Sequence, residues 1–354
     1  MNIAFFITNH GFGHLMRNMP VIIEILGSGH DHLVVVAANP HISLAKEYFR
    51  YEKIDDSKIE YVPFDTDMGW ILESGSLKVD VPELEKAVSK YTTEWPERVE
   101  WAKKLFAEKD IDRVVVDIVP WALTAAKEAG IKSFLMASFT WLEQYQPYLS
   151  EDILAKYRKA YKDADKVLMY KLHDEMIPEL YAERIDVGIC ARTMHPEQVE
   201  EIKRKAGMPI VFMSIGGSND GIKGEIEVGN LPYIFITTPG LKLVGKNVWN
   251  LPKEINNTQD FIGAADYCIS KAGWTTVAEM LAAGKPMALL KRPDVIEDTQ
   301  YIKRLEDSGN AIGIYTSELS HIESVIEKLK VVKNKKNIYK NDYIAIAEII
   351  SRKL

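Results

Sequence analysis

Short apolar runs alternate with helix-like segments along most of the chain. In the first half the apolar runs lie at residues 3–7, 33–37, 114–116 and 133–137. A further run at 167–170 precedes an irregular stretch, and the alternation resumes with runs at 210–215, 233–237, 267–269 and 287–290. Such alternation is typical of parallel sheets covered by helices on both faces. The pattern predicts two successive α/β domains.

The interruption near residue 185 and a lysine- and asparagine-rich connector at 333–341 divide the chain into three predicted parts. We expect a Rossmann-like N-terminal domain over 1–184, a second domain over 185–340, and a C-terminal helix over 341–354 that packs back on the first domain. The length of 354 residues agrees with this division, because one hydrophobic core rarely serves so long a chain.

Composition narrows the class of partner. Lys and Arg total 44 against 51 Asp and Glu, and the resulting formal net charge of -7 disfavours nucleic acid but allows a local cationic site for phosphates. The two cysteines lie far apart in apolar contexts, which indicates neither a disulfide framework nor a cysteine metal site. No apolar run approaches the ~20 residues of a membrane span, and the N-terminus lacks a basic leader. We expect a cytoplasmic protein.

The first candidate site is the loop HGFGH at residues 10–14, directly after the first apolar run. A glycine-rich turn at this place suggests a nucleotide cofactor, but the dinucleotide fingerprint requires a third glycine where this chain has Met16. The second run also ends in the sequence AAN at 37–39, without the acidic residue that holds the ribose of NAD. An NAD site is therefore not expected, and the loop indicates another chemistry.

Two segments of the second half have features of a phosphate site. In SIGGSNDG, residues 214–221, a strand-like run leads into two glycines and a serine, which suits anion binding about as well as an ordinary tight turn. Residues 266–290 read as strand, turn, helix and strand, with the helix beginning near Thr275. The amide groups and dipole of that helix terminus would suit a diphosphate.

Glu279 lies three residues after Thr276, which is the spacing of a capping box, so the spacing alone favours a capping role. Several histidines have no neighbours at metal-ligand spacing, and we interpret them as surface or packing residues: His173, His195 and His321. The sequence therefore indicates no metal site.

Together the motifs resemble the GT-B glycosyltransferases. They occur in the order Gly-x-Gly-His, Gly-Gly-Ser, Ser-Lys-Ala-Gly-x-x-Thr-x-x-Glu and Asp-x-Gln. The most similar members are the family 28 enzymes that add N-acetylglucosamine to the lipid-linked peptidoglycan precursor, and the UDP-glycosyltransferases. Residues 10–17 and 114–145 are also similar to the transferase-like half of plant L-arabinokinases. We find no counterpart of the kinase half of those proteins or of its phosphate loop, and we expect no kinase activity. The resemblance implies an α/β GT-B fold with two Rossmann-like parallel-sheet domains facing across a cleft.

The resemblance also implies an inverting, metal-independent transfer from a nucleotide diphosphate sugar, most simply a UDP-sugar as donor substrate, without a bound cofactor. His14 matches the loop histidine of the family and is the candidate general base, because a hydroxyl acceptor needs one at neutral pH. Asp117 is the candidate partner of His14, and capping of the following helix is a nearly equal alternative. His10 and Arg17 are assigned no chemical step. For Arg17 the alternatives are a phosphate contact and a surface salt bridge.

Most of the implied donor-binding residues lie in the second domain. Arg192, in VGICAR, matches a diphosphate-contacting arginine, and Glu279 matches the glutamate that accepts both ribose hydroxyls, which replaces the capping interpretation. Asp298 and Gln300 match a pair that contacts the hydroxyls of the donor sugar. The alternative is that these two polar residues mark the start of an ordinary helix. The complete candidate set is Gly13, Arg192, Gly216, Gly217, Ser218, Gly273, Thr275, Glu279, Asp298 and Gln300.

Two other functions stay open at this point. One is a nucleotide-sugar 2-epimerase of GT-B fold, and the other is a catalytically silent nucleotide-sugar-binding protein. The acceptor is an unidentified hydroxyl compound, and a lipid-linked one would add a peripheral membrane contact. Five tryptophans of the first domain would suit stacking on sugars or apolar rings as well as packing: Trp70, Trp95, Trp101, Trp121 and Trp141.

Overall fold

The computed structural model describes residues 1–29, 32–73, 78–173, 183–215, 225–252, 255–292, 296–332 and 339–352. The chain forms two compact units. Unit 1 comprises Met1–Glu73, Lys78–Cys190 and Asp342–Leu354, and unit 2 contains Ala191–Asn341. The C-terminal segment therefore clusters with the N-terminal half of the chain.

Unit 1 is built on a seven-stranded parallel sheet with strand order β3-β2-β1-β4-β5-β6-β7. Nearly every residue of its inner strands is buried, because helices on both faces cover both sides of each strand. The strands are β1 (Asn2–Ile7), β2 (His32–Ala37), β3 (Ile59–Pro63), β4 (Ile111–Asp117), β5 (Lys132–Ala137), β6 (Lys166–Met169) and β7 (Arg184–Asp186).

Two helices of unit 1 begin at side chains that satisfy free backbone amides. Asp80 accepts a hydrogen bond from the amide of Glu83, and Thr140 and Glu143 form a capping box. The helices of unit 1 are α1 (Phe12–Gly27), α2 (Asn39–Glu52), α3 (Val81–Thr93), α4 (Trp95–Glu108), α5 (Pro120–Glu128), α6 (Trp141–Tyr145), α7 (Glu151–Tyr161) and, from the end of the chain, α13 (Tyr343–Ser351).

Helix α13 packs against α1 and is held at both ends. At its start, the amide of Gly188 donates to Asp342 Oδ2 over 2.7 Å. At its end, the guanidinium of Arg113 donates to the carbonyls of Ile350 and Arg352, both over 2.6 Å. These bonds satisfy carbonyl groups that a helix C-terminus leaves without partners.

Unit 2 has a six-stranded parallel sheet with strand order β12-β10-β8-β13-β14-β15, and a two-stranded sheet of β9 and β11. Its strands are β8 (Ile210–Ser214), β9 (Ile226–Glu227), β10 (Ile234–Thr237), β11 (Leu243–Val244), β12 (Val248–Asn250), β13 (Tyr267–Lys271), β14 (Met287–Leu290) and β15 (Ala311–Ile314). Its helices are α8 (Pro196–Ala206), α9 (Thr258–Ala264), α10 (Trp274–Ala282), α11 (Ile296–Asp307) and α12 (Ile322–Lys330), with a 3₁₀ helix at Thr316–His321.

All nine apolar runs named in the sequence coincide with strands, and every pairing within the two large sheets is parallel. The predicted α/β organisation with two parallel sheets is confirmed. Across the described ranges, no helix has both the length and the apolar character required to cross a bilayer.

Candidate active site

The first group of candidate residues lies where the strand order of the unit 1 sheet reverses. Strands β1 and β4 are neighbours there, with Ile7 opposite Asp117 at their carboxyl ends. In open parallel sheets, ligands bind at this place, because the connections leave the two strands in opposite directions. Helix α1 follows β1, and its N-cap Gly11 has a φ of 72°, which favours glycine. Gly13, a predicted donor-binding residue, lies in the first turn of α1.

Three side chains of α1 converge on the carboxylate of Asp117. His14 Nδ1 lies 2.7 Å from Oδ1, and Arg17 donates from Nη2 to Oδ1 over 2.6 Å and from Nε to Oδ2 over 2.8 Å. Asn18 Nδ2 donates to Oδ2 over 2.6 Å. The three residues stand at positions i, i+3 and i+4 of one helix, so they share one face of it. The structure thus brings His14 and Asp117 together as the sequence analysis expected.

The His14–Asp117 pair is buried, with 8% of His14 and 1% of Asp117 exposed. Burial opposes ionisation of Asp117, but the charges and hydrogen bonds of Arg17 and His14 outweigh it and lower the pKa of Asp117 to about 2. Burial, followed by the charge of Arg17, lowers the pKa of His14 below its ordinary 6.5, although Asp117 opposes this shift. At neutral pH the pair therefore consists of a neutral imidazole and a carboxylate.

Two alternatives from the sequence are wrong. Helix α5 begins after Val119 without a side-chain cap, and the carboxylate of Asp117 is occupied by residues of α1 instead. Arg17 forms no surface salt bridge, because only 1% of it is exposed and its partners are Asp117 and Ser138. Both residues belong to one buried polar cluster.

The backbone directly after Asp117 is strained. Ile118 has a φ of 56°, a left-handed conformation that a β-branched residue rarely adopts and that costs roughly 1–3 kcal/mol. Its carbonyl accepts a hydrogen bond from the hydroxyl of Tyr161 over 2.8 Å, and its side chain is fully buried. These contacts hold the turn that follows the carboxylate.

A second buried carboxylate, Asp67, anchors the loop that precedes α1. It accepts hydrogen bonds from the Thr8 hydroxyl, from the amide of Asn9 over 2.8 Å and from the indole of Trp141 over 2.8 Å. Burial raises the pKa of Asp67 to about 6, although these three hydrogen bonds oppose the shift. Asp67 therefore ties the loop that carries His10 to α6.

Aromatic side chains surround His10 and His14. The ring of His10 lies 5.1 Å from Trp141, and that of His14 lies 5.5 Å from Phe139. A Cβ at Gly69 would come within 2.4 Å of His10 Nδ1, so glycine leaves room for that imidazole. Of the five tryptophans considered, Trp121 and Trp141 are fully buried, Trp95 nearly so, and Trp70 and Trp101 are partly buried against the core.

The second group of candidate residues lies at the corresponding place in unit 2. Strands β8 and β13 are neighbours where the strand order reverses, and α10 follows β13. Gly273 is the N-cap of α10, and Thr275 lies in its first turn with 9% of its surface exposed. The loop after β8, with Gly216, Gly217 and Ser218, lies outside the described residues.

Arg192 and Glu279 form a buried ion pair. Arg192 donates from Nε to Glu279 Oε1 over 2.6 Å and from Nη2 to Oε2 over 3.2 Å. The same guanidinium donates to the carbonyl of Asn256 over 2.7 Å and to the hydroxyl of Thr258 over 2.8 Å. No side chain caps the N-terminus of α10, so the capping role that spacing alone favoured for Glu279 is wrong. Two predicted donor-binding residues are therefore in contact.

Asp298 lies in the first turn of α11 and is fully buried. Both of its oxygens accept hydrogen bonds from the guanidinium of Arg292, one of them over 2.8 Å. The side chain of Gln300 lies outside the described residues. The pairing of Asp298 with Arg292 has no counterpart in the sequence-based expectations.

The lone histidines form local contacts. The amide of His195 donates to Asp260 over 2.7 Å, and Nδ1 of His173 lies 2.8 Å from the carbonyl of Tyr170. His321 is the N-cap of α12. Among the residues that the structure describes, no group of three or more His, Cys, Asp or Glu side chains has a metal-binding arrangement.

Sequence reasoning assigned no role to Asn18 and Asp67, and none to Arg292. The spacing of His14, Arg17 and Asn18 was an available signal, because three polar residues at i, i+3 and i+4 in an otherwise apolar helix need a shared polar partner. Nothing in the sequence near Asp67 indicates its bonds, since its partners come from the loop after β1 and from α6.

A family model matches the C-terminal part of the chain. Residues 252–350 match the model of the glycosyltransferase family 28 C-terminal domain. The matched segment includes Glu279 and Asp298 and the whole of α10.

Two curated relatives extend the similarity toward the N-terminus. The L-arabinokinase of Arabidopsis thaliana is 26% identical over 320 residues, which cover 85% of this chain and 29% of that protein. An uncharacterized glycosyltransferase of Methanopyrus kandleri is 23% identical over 232 residues, which cover 58% of this chain and 64% of that protein. The chain thus spans about a third of the length of the first relative and about two thirds of the length of the second.

Solved structures match over nearly the whole chain. The calicheamicin glycosyltransferase CalG4 has a TM-score of 0.62 at 15% identity, with 98% of this chain and 94% of that chain covered. MurG of Acinetobacter baumannii has a TM-score of 0.58 at 14% identity, covering 99% and 98%. UGT89C1 of Arabidopsis thaliana, in complex with UDP, has a TM-score of 0.61 at 10% identity, covering 99% and 94%. The predicted GT-B fold is confirmed.

Proposed function

We propose that the protein is an inverting glycosyltransferase that moves a sugar from a UDP-sugar to a hydroxyl acceptor, with His14 as general base. The observation that carries this proposal is the 2.7 Å contact between His14 Nδ1 and Asp117. When Nδ1 carries the proton and donates a hydrogen bond to the carboxylate, Nε2 is unprotonated and able to accept a proton. Within the part of the chain that the structure describes, Nε2 has no hydrogen-bond partner.

The proposed step is a single displacement. The acceptor hydroxyl gives its proton to His14 Nε2, and its oxygen forms a bond to the anomeric carbon of the donor sugar. The bond between that carbon and the diphosphate breaks at the same time, and its electron pair leaves with UDP. Attack opposite the leaving group inverts the configuration. Asp117 holds the tautomer of His14 and stabilises the imidazolium that forms.

We further propose that unit 2 holds the donor. Arg192 and the N-terminus of α10 are groups that favour a diphosphate, and neither requires a divalent cation. The carboxylate of Glu279 has more acceptor positions than Arg192 uses, so it retains capacity for two ribose hydroxyls. Asp298 is proposed to contact the donor sugar. The match to UGT89C1 in complex with UDP supports uridine as the nucleotide.

The test is turnover with a panel of UDP-sugars and hydroxyl acceptors, measured as UDP release and as stereochemistry of the product. His14→Ala should lower turnover by roughly 10²–10⁴-fold, as expected for a lost general base. His32→Ala is the matched control, because His32 belongs to the same unit but lies at the start of β2 and should leave turnover unchanged.

Other outcomes contradict the proposal. Near-normal turnover in His14→Ala would remove the base from the mechanism. Formation of an epimeric UDP-sugar without an acceptor would indicate an epimerase, and UDP-sugar binding without any turnover would indicate a binding protein.

A further inference from the structure

The guanidinium of Arg17 is fixed in position beside Asp117. Two of its nitrogens donate to the carboxylate, and Nη1 donates to the hydroxyl of Ser138 over 2.9 Å. The cation also lies over the ring of Tyr170, with 5.3 Å between the guanidinium carbon and the ring centroid. Arg17 is almost completely buried, so its charge is screened little by solvent. The positive charge of Arg17 therefore acts strongly on the groups next to it.

That charge has a consequence for His14. A carboxylate that faces an imidazole without any other partner favours the imidazolium, which is unable to accept a proton. In this site the carboxylate of Asp117 is already compensated by Arg17 through two hydrogen bonds. Asn18 adds a third hydrogen bond, of 2.6 Å, without adding charge.

The other titratable groups around His14 are few and identifiable. His41 on α2 opposes a positive charge on His14, and His10 lies 6.4 Å away between ring centroids. Asp67 is held by Thr8, Asn9 and Trp141 and acts electrostatically on Asp117. Among these groups, Arg17 is the permanently charged one, since the guanidinium does not titrate in proteins.

We propose that Arg17 is a positioning residue that keeps His14 in its neutral, proton-accepting form by giving Asp117 a fixed counter-charge. This inference rests on the proposed role of His14 as general base. Asn18 orients the same carboxylate but does not set the charge of the imidazole. The two residues are therefore separable by experiment.

The experiment is an NMR titration of the His14 imidazole in the full-length protein, with the signal assigned by its loss in His14→Ala. Arg17→Gln removes the charge, and the pKa of His14 should rise by about one unit or more. Arg17→Lys keeps the charge and Asn18→Ala removes only a neutral donor, so both should leave the pKa within a few tenths of the wild-type value. An unchanged pKa in folded Arg17→Gln would overturn the inference.

The wild-type protein gives a second readout that does not depend on how the variants fold. Its His14 should titrate below the ordinary 6.5, and a value above that overturns the inference by itself.

Activity separates this inference from the proposed function. In Arg17→Gln the acid limb of kcat/KM should move to higher pH by the same amount as the NMR pKa. If His14→Ala keeps its turnover while the pKa shifts as expected, the proposed base fails and the charge effect stands. If His14→Ala loses turnover while the pKa stays unchanged, the charge effect alone fails.

Discussion

Asp117→Asn provides a direct measure of how strongly the buried cluster of unit 1 depends on one charge. The carboxylate receives two hydrogen bonds on each oxygen, from His14 and Arg17 on Oδ1 and from Arg17 and Asn18 on Oδ2. An asparagine retains one acceptor oxygen and turns an amide donor toward the other two donors. Two hydrogen bonds to a charged group are lost, at ~1.5–3 kcal/mol each.

The sum of about 3–6 kcal/mol agrees with the ~3–5 kcal/mol expected when one partner of a buried ion pair is removed. We therefore expect Asp117→Asn to lower the free energy of unfolding of unit 1 by about 3–5 kcal/mol. Urea unfolding followed by tryptophan fluorescence is a suitable assay, because five of the seven tryptophans lie in unit 1. The fluorescence signal then reports mainly on the unfolding of unit 1, also when unit 2 unfolds in a separate step.

The chain contains a matched control for this substitution. Asp186 also accepts two hydrogen bonds from one arginine, Arg184, but both side chains of that pair are more than a third exposed. Asp186→Asn should therefore cost at most about 1 kcal/mol. If Asp117→Asn costs no more than Asp186→Asn, the charge of Asp117 does not stabilise the cluster and the reasoning is wrong. A smaller loss in the Arg17→Met, Asp117→Asn double variant than the sum of the single losses would show the coupling directly.

Three further predictions concern the donor site, the metal requirement and the C-terminal helix, and a fourth concerns pH. Glu279→Ala should weaken UDP binding by roughly tenfold or more in a calorimetric titration, because the ribose hydroxyls lose a charged acceptor worth ~1.5–3 kcal/mol; unchanged affinity with a lower Tm would limit Glu279 to a structural ion pair. Chelation with EDTA should leave turnover intact, and a loss that magnesium or manganese restores would refute this. Arg113→Ala should accelerate hydrogen exchange at the end of α13 without changing turnover, because two carbonyls lose their donors. The histidine contribution to stability should fall as pH drops below about 6.5, because burial lowers the pKa of His14 and His41 in the folded state and the unfolded chain then binds more protons. Asp67 acts in the opposite direction, because burial raises its folded-state pKa to about 6. The measurement is therefore a comparison of urea midpoints from pH 5 to 8, which should decline less toward low pH in His14→Ala than in the wild-type protein.

The strands that the apolar pattern missed share one structural property. In the two large sheets they are β3, β7, β12 and β15, and these are the four edge strands. An edge strand is covered by fewer neighbours, so it tolerates polar residues and partly exposed positions, as in β7 and β12. Strand β15 is apolar, but only two of its four residues are buried. Inner strands are buried on both faces and therefore appear as continuous apolar runs. The pattern thus predicts the centre of each sheet better than its edges.

The candidate site shows a similar division between local and long-range information. His14 was predictable from a loop motif, and the helix after β13 from the turn that precedes it. The role of Arg17 depends on Asp117, which lies 100 residues further along the chain, and that pairing follows only from the adjacency of β1 and β4. Glu279 shows the limit of spacing arguments, because its partner Arg192 is separated from it by 87 residues and replaces the cap that spacing favoured.

Each of three candidate carboxylates is paired with an arginine: Asp117 with Arg17, Glu279 with Arg192, and Asp298 with Arg292. A buried carboxylate without a partner would either take up a proton or repel an approaching anion. Each arginine places a counter-charge beside its carboxylate, so the local net charge stays near zero, and for Asp117 this pairing helps to lower the pKa of the carboxyl group. This matters most for Glu279, because the proposed donor carries a diphosphate. An ionised Glu279 alone would weaken the binding of that anion, whereas the pair with Arg192 presents acceptors to the ribose without net repulsion. In the proposed function, Arg192 therefore allows the carboxylate of Glu279 to bind ribose hydroxyls close to the charged leaving group.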